Sequence, residues 1–143
     1  MLAVLAVAAI TLLCIPDNAF SLSKTVEAVG SLTPRSAAEI ITWVALSLTA
    51  GFVEEVVFRG YLQRQFMAIT RSASAGVAIS AFIFGAAHAY QGGVQMFIIT
   101  ALGAMFGILA HWRKSLKPGI IAHAGQDVLS GLLLSWLSSH PMN

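Results

Sequence analysis

Long uncharged stretches separated by short charged links dominate this chain. Residues 40–58 are apolar apart from Glu54 and Glu55, and residues 73–90 hold no formal charge and one histidine. Residues 94–110 are uncharged, and 118–138 are interrupted only by His123, Gln126 and Asp127. A spanning helix needs about 20 mostly apolar residues, roughly 17–25, so the pattern predicts an all-α fold, a polytopic bundle of four core spanning helices. Residues 1–15 are apolar but short. With no basic segment ahead and no small-residue cleavage site behind, they read as a short N-terminal membrane helix rather than a signal peptide. The expected division is therefore 1–37, that helix and a polar linker carrying Asp17, Asn18, Pro34 and Arg35, and 38–143, the core.

Composition agrees with that pattern. Of 143 residues, 57% are hydrophobic and 10% charged, against about 25% charged in an ordinary soluble domain. Mean hydropathy is +0.81. A net charge of +2 is too small a bias for a nucleic-acid groove. The single cysteine, Cys14, excludes an internal disulfide framework. Arg59, Arg64 and Arg71 follow the 40–58 segment, and Arg113, Lys114 and Lys117 precede the last one. Strict alternation then puts both basic links in the cytoplasm and the C-terminus outside. Gly103 and Gly107 form a GxxxG spacing, a pattern for close helix packing that also arises by chance in a glycine-rich membrane protein. His111, Trp112 and Trp136 read as interfacial anchors, and His140 as a tail residue.

Ionisable groups at membrane depth are costly and mark functional sites. Glu54 and Glu55 point about 100° apart on a helix. Glu55 and Arg59 stand at i,i+4 in the favourable order, which leaves Glu54 to face a different neighbour. Phe84 and His88 share a second helix face, and His123 and Asp127 a third, each with small residues between. Taken singly, each histidine reads as a packed or interfacial residue. Together, Glu54, His88 and His123 are the inventory of a His₂Glu zinc site, and equally of a metal-free acid–base site in which Glu54 takes a proton from water. His123 and Asp127 would then stabilise an oxyanion if Asp127 is protonated. An ionised Asp127 would instead hold His123 in one tautomer.

In order, EExxxR, FxxxH and HxxxN/D over 38–138 resemble the CPBP family of intramembrane proteases. That family includes the CAAX prenyl endopeptidases and the bacteriocin-processing and self-immunity (Abi) proteins. The resemblance implies a peptide-bond hydrolase whose site opens within the bilayer. Glu54 and His88 match the water-activating pair, His123 the second essential histidine, and Asp127 a position often asparagine. Glu55 and Arg59 match the remaining positions and read as orienting residues. Metalloprotease and metal-free glutamate mechanisms are both associated with the family. The expectation is Glu54-activated water with no required cofactor; if zinc is used, Glu54, His88 and His123 would bind it. The chain is short for the family, which usually has further N-terminal helices.

Glu54 and His88 must therefore share one site. At ~1.5 Å per residue, Glu54 lies roughly 7 Å from Arg59 and His123 about 8 Å from Pro118, but His88 about 22 Å from Ala73. Either the helix of Glu54 continues past Arg59 towards Arg71, or the helix of His88 starts lower and tilts. Expected partners are membrane lipid and a membrane-associated or prenylated peptide or protein, with no nucleic acid. For a prokaryotic source the location is the plasma membrane. The alternatives are an inactive immunity or peptide-binding scaffold of the same fold and, third, a proton pathway, which the scarcity of polar groups in 94–110 disfavours.

Overall fold

The computed structural model describes residues 33–140, so the segment 1–15 and most of the linker after it lie outside the described residues. Helix α1 runs Ala37–Thr70, α2 Ala73–Ala87, α3 Gly93–Arg113 and α4 Lys117–Ser139, with no strand among the described residues. The Ser36 hydroxyl accepts the Glu39 N–H, and the Glu39 carboxylate accepts the N–H groups of Arg35 and Ser36, which starts α1 with a capping box. Arg71 in the left-handed region ends α1, and the Ser72 hydroxyl caps α2 by accepting the Ala75 N–H.

Among the described residues three helices, α1, α3 and α4, are long and apolar enough to cross a membrane. The expected span over 73–90 is not among them: α2 has 15 residues, about 22 Å at ~1.5 Å each, short of a ~30 Å hydrocarbon core. His88 ends it at φ −101°, ψ 9°. The chain then tightens into a 3₁₀ turn, Ala89–Gln91, and reverses at Gly92, whose φ of +114° suits glycine. At the other extreme, α1 continues well past Arg59. Arg59 is a buried residue of the bundle rather than a charge of the following link, while Arg64 and Arg71 remain exposed.

Burial is inverted relative to a protein in water. The largest fully buried side chains are Arg59, Phe106, Glu55 and Ser80, whereas Leu46, Phe52, Ile69, Phe97, Ile121 and Leu129 are exposed. Lipid solvates such an apolar exterior and drives polar groups inward. With its three apolar spans, the chain is an integral membrane protein.

The first part of α1 packs chiefly on α4, its last part on α2, and α2 on α3. Small residues permit these approaches. A Cβ on Gly51 would come within 2.7 Å of the Ala124 nitrogen, and one on Gly85 within 2.7 Å of the Met96 oxygen. In the middle of α1 the stretch Glu55–Leu62 is π-helical, and the Gln63 N–H reaches back to the Phe58 oxygen. The sequence accounts for what this does. Ser47, Gly51, Glu55, Arg59 and Gln63 recur every four residues and are all buried. A four-residue step overshoots an α-helical turn by about 40°, so the stripe would wind out of the interior. The wider π turns return it.

Candidate active site within the helix bundle

The π-helical stretch presents Glu55 and Arg59 inward. Glu55 is fully buried, and its Oε1 lies 2.9 Å from Arg59 Nη1. That approach is a charge contact rather than an aligned hydrogen bond. The guanidinium lies over Phe84, 4.2 Å from the ring centroid, with the rings of Phe58 and Phe106 at 5.9 and 5.7 Å. A desolvated cation is stabilised by such ring faces. Two glycines make the room: a Cβ on Gly103 would stand 3.1 Å from Arg59 Nη2, and one on Gly119 would stand 2.8 Å from Glu55 Oε2.

His123, on α4, is the centre of the cluster. Its Nδ1 lies 3.2 Å from Glu55 Oε1, so Nδ1–H donates to that carboxylate. Its Nε2 faces Glu54 Oε2 at 3.6 Å and Asp127 Oδ2 at 3.7 Å. The ring stacks on Phe106 at 5.3 Å and meets the edge of Phe84 at 5.8 Å. The adjacent glutamates diverge as expected, yet both meet one imidazole, from opposite sides. Glu55 is sealed in; Glu54 and Asp127 keep 28% and 33% of their side chains exposed. The anchored nitrogen thus points into the bundle and the other towards the open side.

His88 stands apart. Its Nδ1 pairs with the Phe84 carbonyl oxygen of its own helix at 2.8 Å, and its ring packs on Phe84 at 4.8 Å and on exposed Tyr90 at 6.2 Å. No ion pair joins it to Glu54 among the described residues. It is linked to the cluster through the Phe84 ring, which touches both histidines. The depth question resolves in favour of a longer α1. Extension to Thr70 puts Glu54 roughly 24 Å from that end, level with His88 roughly 22 Å from Ala73. α4 starts part-way up, where Leu116 meets Gly60, which brings His123 to the same depth.

The structure thus brings Glu54, Glu55, Arg59, His123 and Asp127 into one contact cluster, with His88 one aromatic ring away. Among the described residues, no three His, Cys, Asp or Glu side chains are grouped closely enough to hold a metal ion. Sequence reasoning did not single out Gln63, whose Nε2 donates to the Gly107 oxygen at 3.0 Å. Nor did it find Trp43, whose Nε1–H donates to the Asp127 carbonyl at 3.0 Å. The four-residue recurrence from Trp43 to Gln63 was the available signal. Gly103 faces Phe84 and Ala81 of α2 as well as Arg59, and Gly107 faces Val77 of α2 as well as Gln63, so both glycines admit α1 side chains and the close approach of α2.

The family model described as type II CAAX prenyl endopeptidase Rce1-like matches residues 36–129. No curated protein and no solved structure matches the chain.

Proposed function

Because the chain belongs to the Rce1-like family of type II CAAX prenyl endopeptidases, we propose that it is an intramembrane endopeptidase that hydrolyses membrane-associated or prenylated substrates with water activated by Glu54. The observation that carries this reading is the clasp on His123: Glu55 on one nitrogen, Glu54 and Asp127 facing the other. Separations of 3.6 and 3.7 Å exceed a direct hydrogen bond and are too short for an oxygen between the atoms, so the attacking water would sit beside the three groups, on their open side, within reach of Glu54 and His123.

In this mechanism Glu54 accepts a proton from water as the water oxygen attacks the scissile carbonyl. Charge develops on the carbonyl oxygen. Protonated His123 stabilises it through Nε2–H, its own charge balanced by Glu55 at Nδ1. The proton held by Glu54 then passes to the departing amine as the C–N bond breaks. His88, with Nδ1 committed to the Phe84 oxygen, offers Nε2 to the water or to the carbonyl. Asp127 orients His123 as a carboxylate or, when protonated, donates to the oxyanion. For a prokaryotic source the site would work in the plasma membrane.

The test compares membrane-protein termini by mass spectrometry in cells making wild type or Glu54→Gln at matched expression. New or missing termini that depend on Glu54, with cleavage lowered at least about 100-fold in the variant, support the reading. Identical termini overturn it, and the chain is then a peptide-binding member of the fold.

A further inference from the structure

Three ties hold α4 to α1 and the residues just before it, and one of them ends on a site residue. The Ser135 hydroxyl donates to the Pro34 oxygen at 2.7 Å, and Gly51 admits the Ala124 backbone. Between them, the Trp43 indole N–H donates to the carbonyl oxygen of Asp127 at 3.0 Å. Trp43 is half-buried. Its ring lies where a Cβ on Gly131 would be, so residue 131 must lack a side chain for the indole to reach Asp127. That oxygen already accepts the helical N–H of residue 131, four residues on. The indole is therefore a second donor, used to anchor this residue rather than to complete the helix.

The anchored residue is the one whose carboxylate stands 3.7 Å from His123 Nε2. Four positions earlier on α4, His123 meets Glu54 and Glu55. A rotation or slide of α4 against α1 would change all three distances together. We propose that Trp43 is a positioning residue of the reaction: through the Asp127 carbonyl it sets the placement of the His123–Asp127 pair against Glu54. The proposal rests on the peptidase reading for its kinetic consequence, but not for its structural one.

Trp43→Phe tests it, because the phenyl ring still fills the space beside Gly131 while the N–H is lost. Two readouts are taken on the full chain in detergent. One is the ¹⁵N resonance of the His123 imidazole, assigned by its loss in His123→Gln. The other is cleavage of a farnesylated CAAX-type reporter peptide, with Glu54→Gln as the control for the peptidase reading and Trp136→Phe, on an exposed tryptophan, as the control for tryptophan loss. The expected result is a shifted His123 resonance and a kcat lowered about tenfold at unchanged KM, with Trp136→Phe like wild type. A structural role alone would scale activity with folded fraction and leave the resonance of the folded molecules in place. Gly131→Ala, which pushes the indole from its seat, is expected to act in the same direction and replaces Trp43→Phe if that variant does not fold.

An unchanged His123 resonance overturns the inference whatever the activity. A shifted resonance with unchanged kcat, in a protein whose cleavage needs Glu54, overturns the role in the reaction. If Glu54→Gln leaves cleavage intact, it is the peptidase reading that falls. The resonance then decides alone whether Trp43 places the His123–Asp127 pair.

Discussion

Two histidines of the bundle, His123 and His88, are held in opposite ways. His123 is buried, stacked on Phe106 and tied to Glu55, with carboxylates on both of its nitrogens. His88 sits at the end of a short helix, its Nδ1 paired with the carbonyl of its own Phe84 and its ring between Phe84 and the exposed ring of Tyr90. In sequence, HAGQD and FGAAH look like equivalent one-turn motifs. What separates them is the partner helix. α4 lies on the polar stripe of α1, whereas α2 presents Phe84 to that stripe and leaves its histidine at the rim. In the proposed reaction, His123, on the fixed side, would then serve the fold as well as the chemistry, and His88 the chemistry alone.

The largest effects should come from the fixed side. Arg59→Leu removes the one charge partner, besides His123, that a fully buried carboxylate has among the described residues, and breaking such a pair costs about 3–5 kcal/mol. We expect a large loss of thermal stability in detergent, with part of it recovered when Glu55→Gln is added. No recovery in the double variant would show that the guanidinium matters for its packing on Phe84 rather than for its charge. Next in size is the direct comparison. His123→Gln should lower both stability, by about 1–3 kcal/mol, and cleavage. His88→Gln should leave stability within about 0.5 kcal/mol and lower cleavage about 10²–10⁴-fold. Equal destabilisation by the two variants would break the distinction drawn here.

This asymmetry sets how far the fold and site could be read from the chain. The i,i+4 pairs Glu55–Arg59 and His123–Asp127 were legible because helix geometry alone puts them on one face. The segments 94–110 and 118–138 emerged as α3 and α4 within a few residues, because charge gaps mark lipid-facing helices. The end of α1 was not legible. Arg59, Gln63, Arg64 and Gln65 look like a polar link, and only the π-helical widening reveals that the first two turn inward while Arg64 stays outside. The shortness of α2 was hidden for the opposite reason: residues 73–90 are uniformly apolar, and what ends the helix is a left-over carbonyl captured by His88 and a reversal at Gly92. The four-residue recurrence puts Trp43 on the inward stripe of α1, but its bond to Asp127 joins residues far apart in sequence, so no local pattern marks the pairing.

Smaller substitutions sharpen the fixed side further. A methyl at residue 119 would stand 2.8 Å from Glu55 Oε2, where neither α4 backbone nor a buried carboxylate yields easily. Gly119→Ala should cost about 1–3 kcal/mol and lower cleavage more than the lost folded fraction explains, because Glu55 is pushed towards the nitrogen it anchors. If cleavage merely tracks folded fraction in thermal and kinetic assays, Glu55 does not orient His123.

The smallest effect is expected one step further down the stripe, at Gln63. Its Nε2 donates to the Gly107 oxygen, while its Oε1 is buried without a hydrogen-bond partner among the described residues. Gln63→Met keeps the length of the side chain and removes both atoms, so the lost bond, about 0.5–1.5 kcal/mol, is offset by the loss of an unsatisfied acceptor. Stability should change by less than about 1 kcal/mol, and kcat not at all beyond folded fraction. Gly107→Ala should cost more, since its Cβ would meet Oε1 at 2.6 Å. Gln63 and Trp43 each tie a side chain of α1 to a backbone carbonyl of a neighbouring helix, with the same 3.0 Å bond. Only one of those carbonyls belongs to a residue facing His123. A kinetic defect in Gln63→Met equal to that of Trp43→Phe would mean that general stiffness of the bundle, rather than placement of the Asp127 carboxylate, governs the rate.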